Sequence, residues 1–352
     1  MAIKRGVSFY SYQQAQFFGE MNYKDMCREL HDNLHATGVE IICDATVPHF
    51  PFPDKAWIAD WHNTMARYEL EPVCLDGALD VMRYRDHVMS NAEAAEYIKV
   101  ELQLAHDLGF HHIRSMTGLP SDVIDRCLST CEKLNVKLGW EIHSPLCIKP
   151  NPNMPDMWVK NPGTKVFETV EYIQKVGTNM VGFVPDMGIF TKAPYIDNVF
   201  AFIRRVAEVD KGLSEEIETL YNEVELKYFA DELTARFGKR LEGKVSPMML
   251  RMLSGKNSAE PEDLELIMPY ILHFHGKVHH MVEIPGRPGE YDDPSTMNAE
   301  VIEVLKRNNW DGYIDTEFEG QRTWQDLPRD QLIDEVEQVR MHHNMLKRLI
   351  GE

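Results

Sequence analysis

Lys137-Leu-Gly-Trp-Glu141-Ile-His143-Ser-Pro145 is the stretch on which the fold turns. A short apolar run of strand length ends by presenting one carboxylate and one imidazole. Residues two apart on a strand share a face, so Glu141 and His143 are expected to project together. A solvated polar strand end would read the same way. The pair gains meaning only if other strands end alike.

Working outward, Val136–Glu141 takes its place as the fifth of eight such runs. Gly6–Tyr10, Val39–Cys43, Val73–Leu75 and His111–Ser115 precede it, and Met180–Val184, Ile271–His275 and Gly312–Glu317 follow. Helical periodicity fills the intervals. From Asn22, a plausible cap, Met26, Leu30 and Leu34 share a face that Gly38 would close. Tyr97, Val100, Leu104, Ala105 and Leu108 share another that Gly109 would end. Strands alternating with helices imply a parallel sheet with right-handed crossovers, and eight units fit a (β/α)8 TIM barrel, α/β in class, spanning 1–352 as a single domain. The interval between the sixth and seventh strands is longer than one crossover needs. Its excess, about 211–269, is charged and helical, carries Leu213–Phe237 and Met248–Leu253, and reads as a helical insertion rather than a second core.

The bulk composition excludes several classes. With 37 basic against 56 acidic side chains the formal charge is −19, which disfavours a nucleic-acid surface or an anionic membrane surface as partner. No apolar run is long enough to span a bilayer, and Met1 to Arg5 lead straight into the first strand, so no cleavable leader is expected. The six cysteines are scattered without a CxxC pair. They read as reduced thiols in a cytoplasmic protein.

Active sites of such barrels lie at the C-terminal ends of the strands. Those ends carry Arg114 on the fourth, Glu141 and His143 on the fifth, and Asp186 on the sixth. The seventh carries His273, His275 and Lys277, the eighth Glu317 and Glu319, with Arg322 just beyond. Singly, each has an ordinary explanation. Asp186 could cap a turn, the run His273 to His280 could be a surface tract, and Arg322 could be a surface arginine. Four consecutive strand ends in register are harder to explain away. Carboxylates converging on a barrel axis would repel one another unless a cation lay among them. Oxygen-rich ligation with one imidazole suits Mn, Mg or Co better than a structural zinc.

Trp140-Glu141-Ile-His143-Ser-Pro145, Pro185-Asp186-Met-Gly-Ile-Phe190, Phe274-His275-Gly-Lys277 and Gly312-Tyr-Ile-Asp-Thr-Glu317-Phe-Glu-Gly320 resemble the xylose-isomerase-like superfamily of barrels, which includes sugar isomerases and epimerases. The opening Gly6-Val-Ser-Phe-Tyr-Ser-Tyr12 and the loop Pro48-His-Phe-Pro-Phe-Pro53 fit it too. Within it the chain looks most like the large (alpha) subunit of bacterial C-glycoside deglycosidases. The resemblance implies that Glu141, Asp186, His275 and Glu317 hold a divalent metal, Mn first, and that His143 is the acid/base. It further implies a small beta subunit as partner in a hetero-oligomer. The implied reaction is that of a lyase: a proton is taken from beside the ketone of a 3-oxo-C-glycoside, and the C–C bond to the aglycone breaks by β-elimination. A metal-dependent sugar isomerase or epimerase, the alternative, would begin with the same proton. Many such relatives carry a His shortly after the sixth-strand Asp, where this chain has Gly188 and Ile189. Arg114, His273, Lys277, Glu319 and Arg322 remain candidates for substrate contact.

Overall fold

The computed structural model describes residues 3–115, 118–144, 146–149, 166–253, 259–323 and 327–352. Pro145, quoted with the fifth-strand motif, lies outside them. The barrel strands are β1 (Lys4–Ser8), β2 (Gly38–Ile42), β3 (Glu71–Asp76), β4 (His112–Ser115), β5 (Lys137–Ile142), β6 (Val181–Pro185), β7 (Phe274–Val278) and β8 (Tyr313–Phe318). All the pairings are parallel, in the order β6-β5-β4-β3-β2-β1-β8-β7. Two isolated parallel bridges, Phe183 with Ile271 and Asp186 with His275, cross the remaining seam between β6 and β7. The sheet thus closes into the expected (β/α)8 barrel, with the main apolar core between strands and surrounding helices.

The helix boundaries follow local chemistry. Asn22 caps Tyr23–Glu29, accepting from the backbone N–H groups of Lys24 and Asp25, while Asp25 accepts from the backbone of Asn22. Gly109, at φ 83°, closes Asn91–Leu108 as expected. Gly38 does not close the first helix. The chain turns at His35, whose φ is 50°, and Gly38 opens β2 instead. β7 also begins later than Ile271, because its ladder with β8 starts only at the pair Phe274–Ile314.

The long interval before β7 holds the helices Lys211–Glu223, Leu226–Leu241 and Pro247–Met252. Leu213, Ile217, Leu220, Phe229, Leu233 and Phe237 pack with Val199, Phe202 and Val206 of the helix Ile196–Val209 in an apolar cluster separate from the barrel core. A second core was not expected from the sequence. Its cause is simple: amphipathic helices in succession carry apolar stripes that they can bury against one another.

Barrel interiors are usually layered with branched aliphatic side chains. Here the axis is polar. Register sets Asp315 beside His275 and Glu317 beside Lys277, and Glu40, Asp76, His112 and His273 are buried as well. Gly6 makes room for one of them, since a Cβ there would lie 1.9 Å from Asp315 Oδ1.

Candidate metal centre

Four adjacent strands bring Glu141, Asp186, His275 and Glu317 together, His275 from the second residue of β7 rather than from its end as the sequence led one to expect. One donor atom from each lies within 4.8 Å of every other, and all four side chains are buried. The bridge that closes the barrel seats Asp186 directly beside His275. Asp186 is further oriented by the turn after β6, where its Oδ1 accepts from Gly188 N at 2.6 Å. A Cβ on residue 188 would come within 2.8 Å of that oxygen. This geometry gives Gly188 its role, and it leaves Oδ2 facing the cluster.

His275 is held on both sides. Its Nδ1 lies 2.8 Å from Glu141 Oε1 and its Nε2 lies 3.2 Å from Glu40 Oε2. Burial alone would depress its pKa, but Glu40, Glu317 and Glu141 push it well above the usual range. Burial would raise the carboxyl of Glu141, yet Arg114 and His275 hold it down at about 2. Asp186 goes the other way, to about 6, because burial outweighs Lys277 and His143.

Seven carboxylates are buried on this axis: Glu40, Asp76, Glu141, Asp186, Asp315, Glu317 and Glu319. Against them stand the permanently charged side chains Arg114 and Lys277. Arg114 lies 2.9 Å from Asp76 Oδ1 and 3.6 Å from Glu141 Oε2. Lys277 Nζ lies 2.8 Å from Asp186, 2.5 Å from Glu317 and 3.0 Å from Glu319. The surplus of negative charge, with three carboxylates and one imidazole converging, is a donor set that fits a hard divalent cation. In the lower part of the axis burial pushes the Asp76 and Asp315 carboxyls well up towards the neutral form.

His143 stands just outside the four-donor set, about a third exposed, with Nε2 3.8 Å from Asp186 Oδ2. Its Nδ1 lies 2.6 Å from the carbonyl oxygen of Ser144. A carbonyl can only accept, so Nδ1 donates to it, and in the neutral tautomer that this bond selects the lone pair sits on Nε2. Nε2 is the nitrogen turned towards Asp186.

The remaining candidates fall at different depths. His273 is wholly buried below His275, between His112 Nε2 at 2.7 Å and Glu40 Oε2 at 2.6 Å. Arg114 and Lys277 are buried among the carboxylates they neutralise. Glu319 reaches from Lys277 to Arg322, whose guanidinium lies 2.9 Å away, covers the Tyr10 ring and donates to the Tyr10 hydroxyl. Glu40, Asp76, His112 and Asp315 escaped the sequence reading. A charged residue inside the apolar run Val39-Glu-Ile-Ile, and one two positions before Glu317, were the signals that pointed to Glu40 and Asp315.

The fold and this site define a class first. The barrel is shared with a sugar phosphate isomerase/epimerase from Parabacteroides distasonis, at a TM-score of 0.53 and 13% identity, covering 100% of this chain and 95% of that one. Closer similarity in sequence runs the full length of the chain. A 3'-dehydrocarminate deglycosidase alpha subunit from a Microbacterium species is 25% identical over 359 residues, 99% of this chain and 95% of the relative. A C-glycoside deglycosidase alpha subunit from Arthrobacter globiformis is 25% identical over 360 residues, 99% of this chain and 93% of the relative. No family model matches the chain. The resemblance carried by the strand-end motifs thus extends end to end: the chain is similar to C-glycoside deglycosidase alpha subunits, on the barrel of xylose-isomerase-like sugar isomerases and epimerases.

Proposed function

We propose that this chain is the large subunit of a divalent-metal-dependent lyase that cleaves 3-oxo-C-glycosides. The observation that carries the reading is the placement of His143, its Nδ1 2.6 Å from the Ser144 carbonyl oxygen and its Nε2 3.8 Å from Asp186 of a buried four-donor cluster, in a chain similar throughout to deglycosidase alpha subunits. Glu141, Asp186, His275 and Glu317 would hold the metal, with Mn favoured and Mg or Co as alternatives. Once bound, the ion would supply Lewis acidity towards the ketone oxygen of the sugar.

The chain's own residues do the rest. His143 Nε2 takes the proton from the carbon beside the ketone, and its Nδ1–H bond to Ser144 stabilises the imidazolium that results. The electron pair of that C–H bond becomes the carbon–carbon double bond of an enone. The pair of the C–C bond to the aglycone departs with the aromatic carbon, which takes up a proton. Lys277 and Arg114 neutralise the carboxylates and so keep the cluster compact in both states. Glu319 and Arg322 stand at the rim for sugar hydroxyls.

The names of the relatives as alpha subunits support a partner, and we assign a small second subunit that completes the site. A metal-dependent sugar isomerase or epimerase is the second reading, favoured by the shared barrel. It is weakened by Gly188 and Ile189 after Asp186, which leave no imidazole on that turn. The test is turnover of a synthetic 3-oxo-C-glucosyl phenol by the Mn-loaded chain together with its genomic neighbour. Release of the free phenol supports the lyase. Conversion of a free ketose by the chain alone, without phenol release, would replace it with the second reading.

A further inference from the structure

Beside the metal centre, at the same end of the barrel, a cleft of about 630 Å³ opens between the segments that follow β1 and β2. Its walls include Phe9, Tyr10, Gln14, Phe17, Ile42 and Leu332. The volume is that of a small-molecule site. Two features set it apart from an ordinary surface dent. Phe17 is 82% exposed although it is a large apolar ring. Gln14, in contrast, is 93% buried by the same measure (7% exposed) and lines the cleft, yet neither its Nε2 nor its Oε1 has a hydrogen-bond partner among the described residues. A buried amide with both ends unsatisfied costs stability unless something else meets them.

We propose that this cleft binds a planar, hydroxylated aromatic ring system, and, resting on the lyase reading above, that this ring system is the aglycone. The chemistry matches at each point. Phe9 and Phe17 offer aromatic contacts to a flat ring. The Gln14 amide offers one acceptor and one donor, which a phenolic hydroxyl and a ring carbonyl would satisfy. A bare sugar fits poorly, because its hydroxyls would be desolvated against apolar walls without partners. Position agrees as well. Tyr10 is a wall of the cleft and its hydroxyl accepts from Arg322, which pairs with Glu319, which pairs with Lys277 of the carboxylate cluster. A ligand spanning both would place its aromatic part in the cleft and its sugar at the donors. The helix carrying Gln14 and Phe17 is also held in place: the Glu335 carboxylate accepts from Gln14 N at 3.2 Å and Ala15 N at 2.7 Å.

The test is calorimetric titration of the full-length, chelator-treated chain with a trihydroxyflavone and with unsubstituted flavone, so that no turnover is involved. The wild type should bind the trihydroxyflavone saturably at one site per chain. Phe17→Ala should weaken both probes by about tenfold, from lost ring contact. Gln14→Leu should weaken the hydroxylated probe by about tenfold more than unsubstituted flavone, which has only its ring carbonyl to lose as a partner of the amide. Because Gln14 is buried and its variant could misfold, the exposed Phe17 position decides the matter independently. Absence of saturable binding, or equal affinities in wild type and Phe17→Ala, would overturn the proposal. So would concentration-dependent self-association that Phe17→Ala abolishes and the flavone leaves untouched, for the cleft would then be a contact between copies. Flavone binding with these dependences but without lyase turnover would keep the subsite and remove the lyase reading. Lyase turnover with binding indifferent to both substitutions would do the reverse.

Discussion

Glu40 Oε2 lies 3.2 Å from His275 Nε2, on the side of the imidazole opposite Glu141. A carboxylate behind a ligand imidazole fixes its tautomer and strengthens it as a donor. Loss of such partners typically costs 10–100-fold in metal affinity, roughly. Glu40→Gln should therefore lower Mn affinity by about that factor while the far-ultraviolet circular dichroism spectrum is unchanged. Competition with a chelator of known affinity measures it. Equal affinities would mean that Glu40 serves only to satisfy His273, its other partner at 2.6 Å.

His143 should be separable from the metal. It lies outside the four-donor set, with Nε2 3.8 Å from Asp186 Oδ2. His143→Ala should reduce turnover by about 10²–10⁴-fold, as removal of a general base does, with metal content near that of the wild type. A preparation that instead emerges without metal would make His143 a ligand.

Gly188 is expected to tolerate nothing larger. A Cβ at 2.8 Å from Asp186 Oδ1 would displace the carboxylate from the amide that orients it. Gly188→Ala should lower metal occupancy with little change in melting temperature. Full occupancy would show that the turn can yield without moving Asp186.

The barrel was legible in the sequence because β5 and β6 are nearly continuous apolar runs, the signature of strands covered on both faces. The candidate donors were legible because polar residues stand out where apolar runs break off, although His275 proves to be the second residue of β7 rather than its end. What escaped notice lies within the runs. Glu40 and Asp315 occupy interior strand positions, where a charged residue reads as a break in an apolar pattern rather than as a buried support. The second apolar cluster, from Val199 to Leu253, escaped for a different reason. Periodicity says that a helix has an apolar face but not which neighbour covers it. The cleft at Gln14 depends on two loops meeting across β1 and β2, which no local pattern encodes.

Glu101 gives the chain a pH-dependent stability unrelated to the metal. It is fully buried beneath the segment after β3, where Oε1 accepts from Ala78 N at 2.6 Å and Oε2 has no hydrogen-bond partner among the described residues. Burial pushes its carboxyl from 4.5 up to about 7, against the pull of the Ala78 N–H. A folded-state acid with a raised pKa keeps a proton that the unfolded chain has released. Its contribution is complete below about 4.5 and is lost as pH rises through about 7. Glu101→Gln keeps an acceptor for Ala78 without the titration. Its melting temperature relative to wild type should rise between pH 5 and pH 8, a shift worth at most about 3 kcal/mol. A constant difference across that range would contradict the assignment.

The divalent ion is the claim on which the functional reading stands, and elemental analysis of the purified chain beside Glu317→Gln addresses it most directly. Glu317 Oε2 lies 3.4 Å from His275 Nδ1 within the donor set. The wild type should carry about one divalent ion per chain, Mn when it is supplied, and the variant far less. Chelation should abolish activity, and added Mn should restore it in the wild type alone. Metal-free wild-type protein that turns over its substrate in the presence of chelator would contradict the reading.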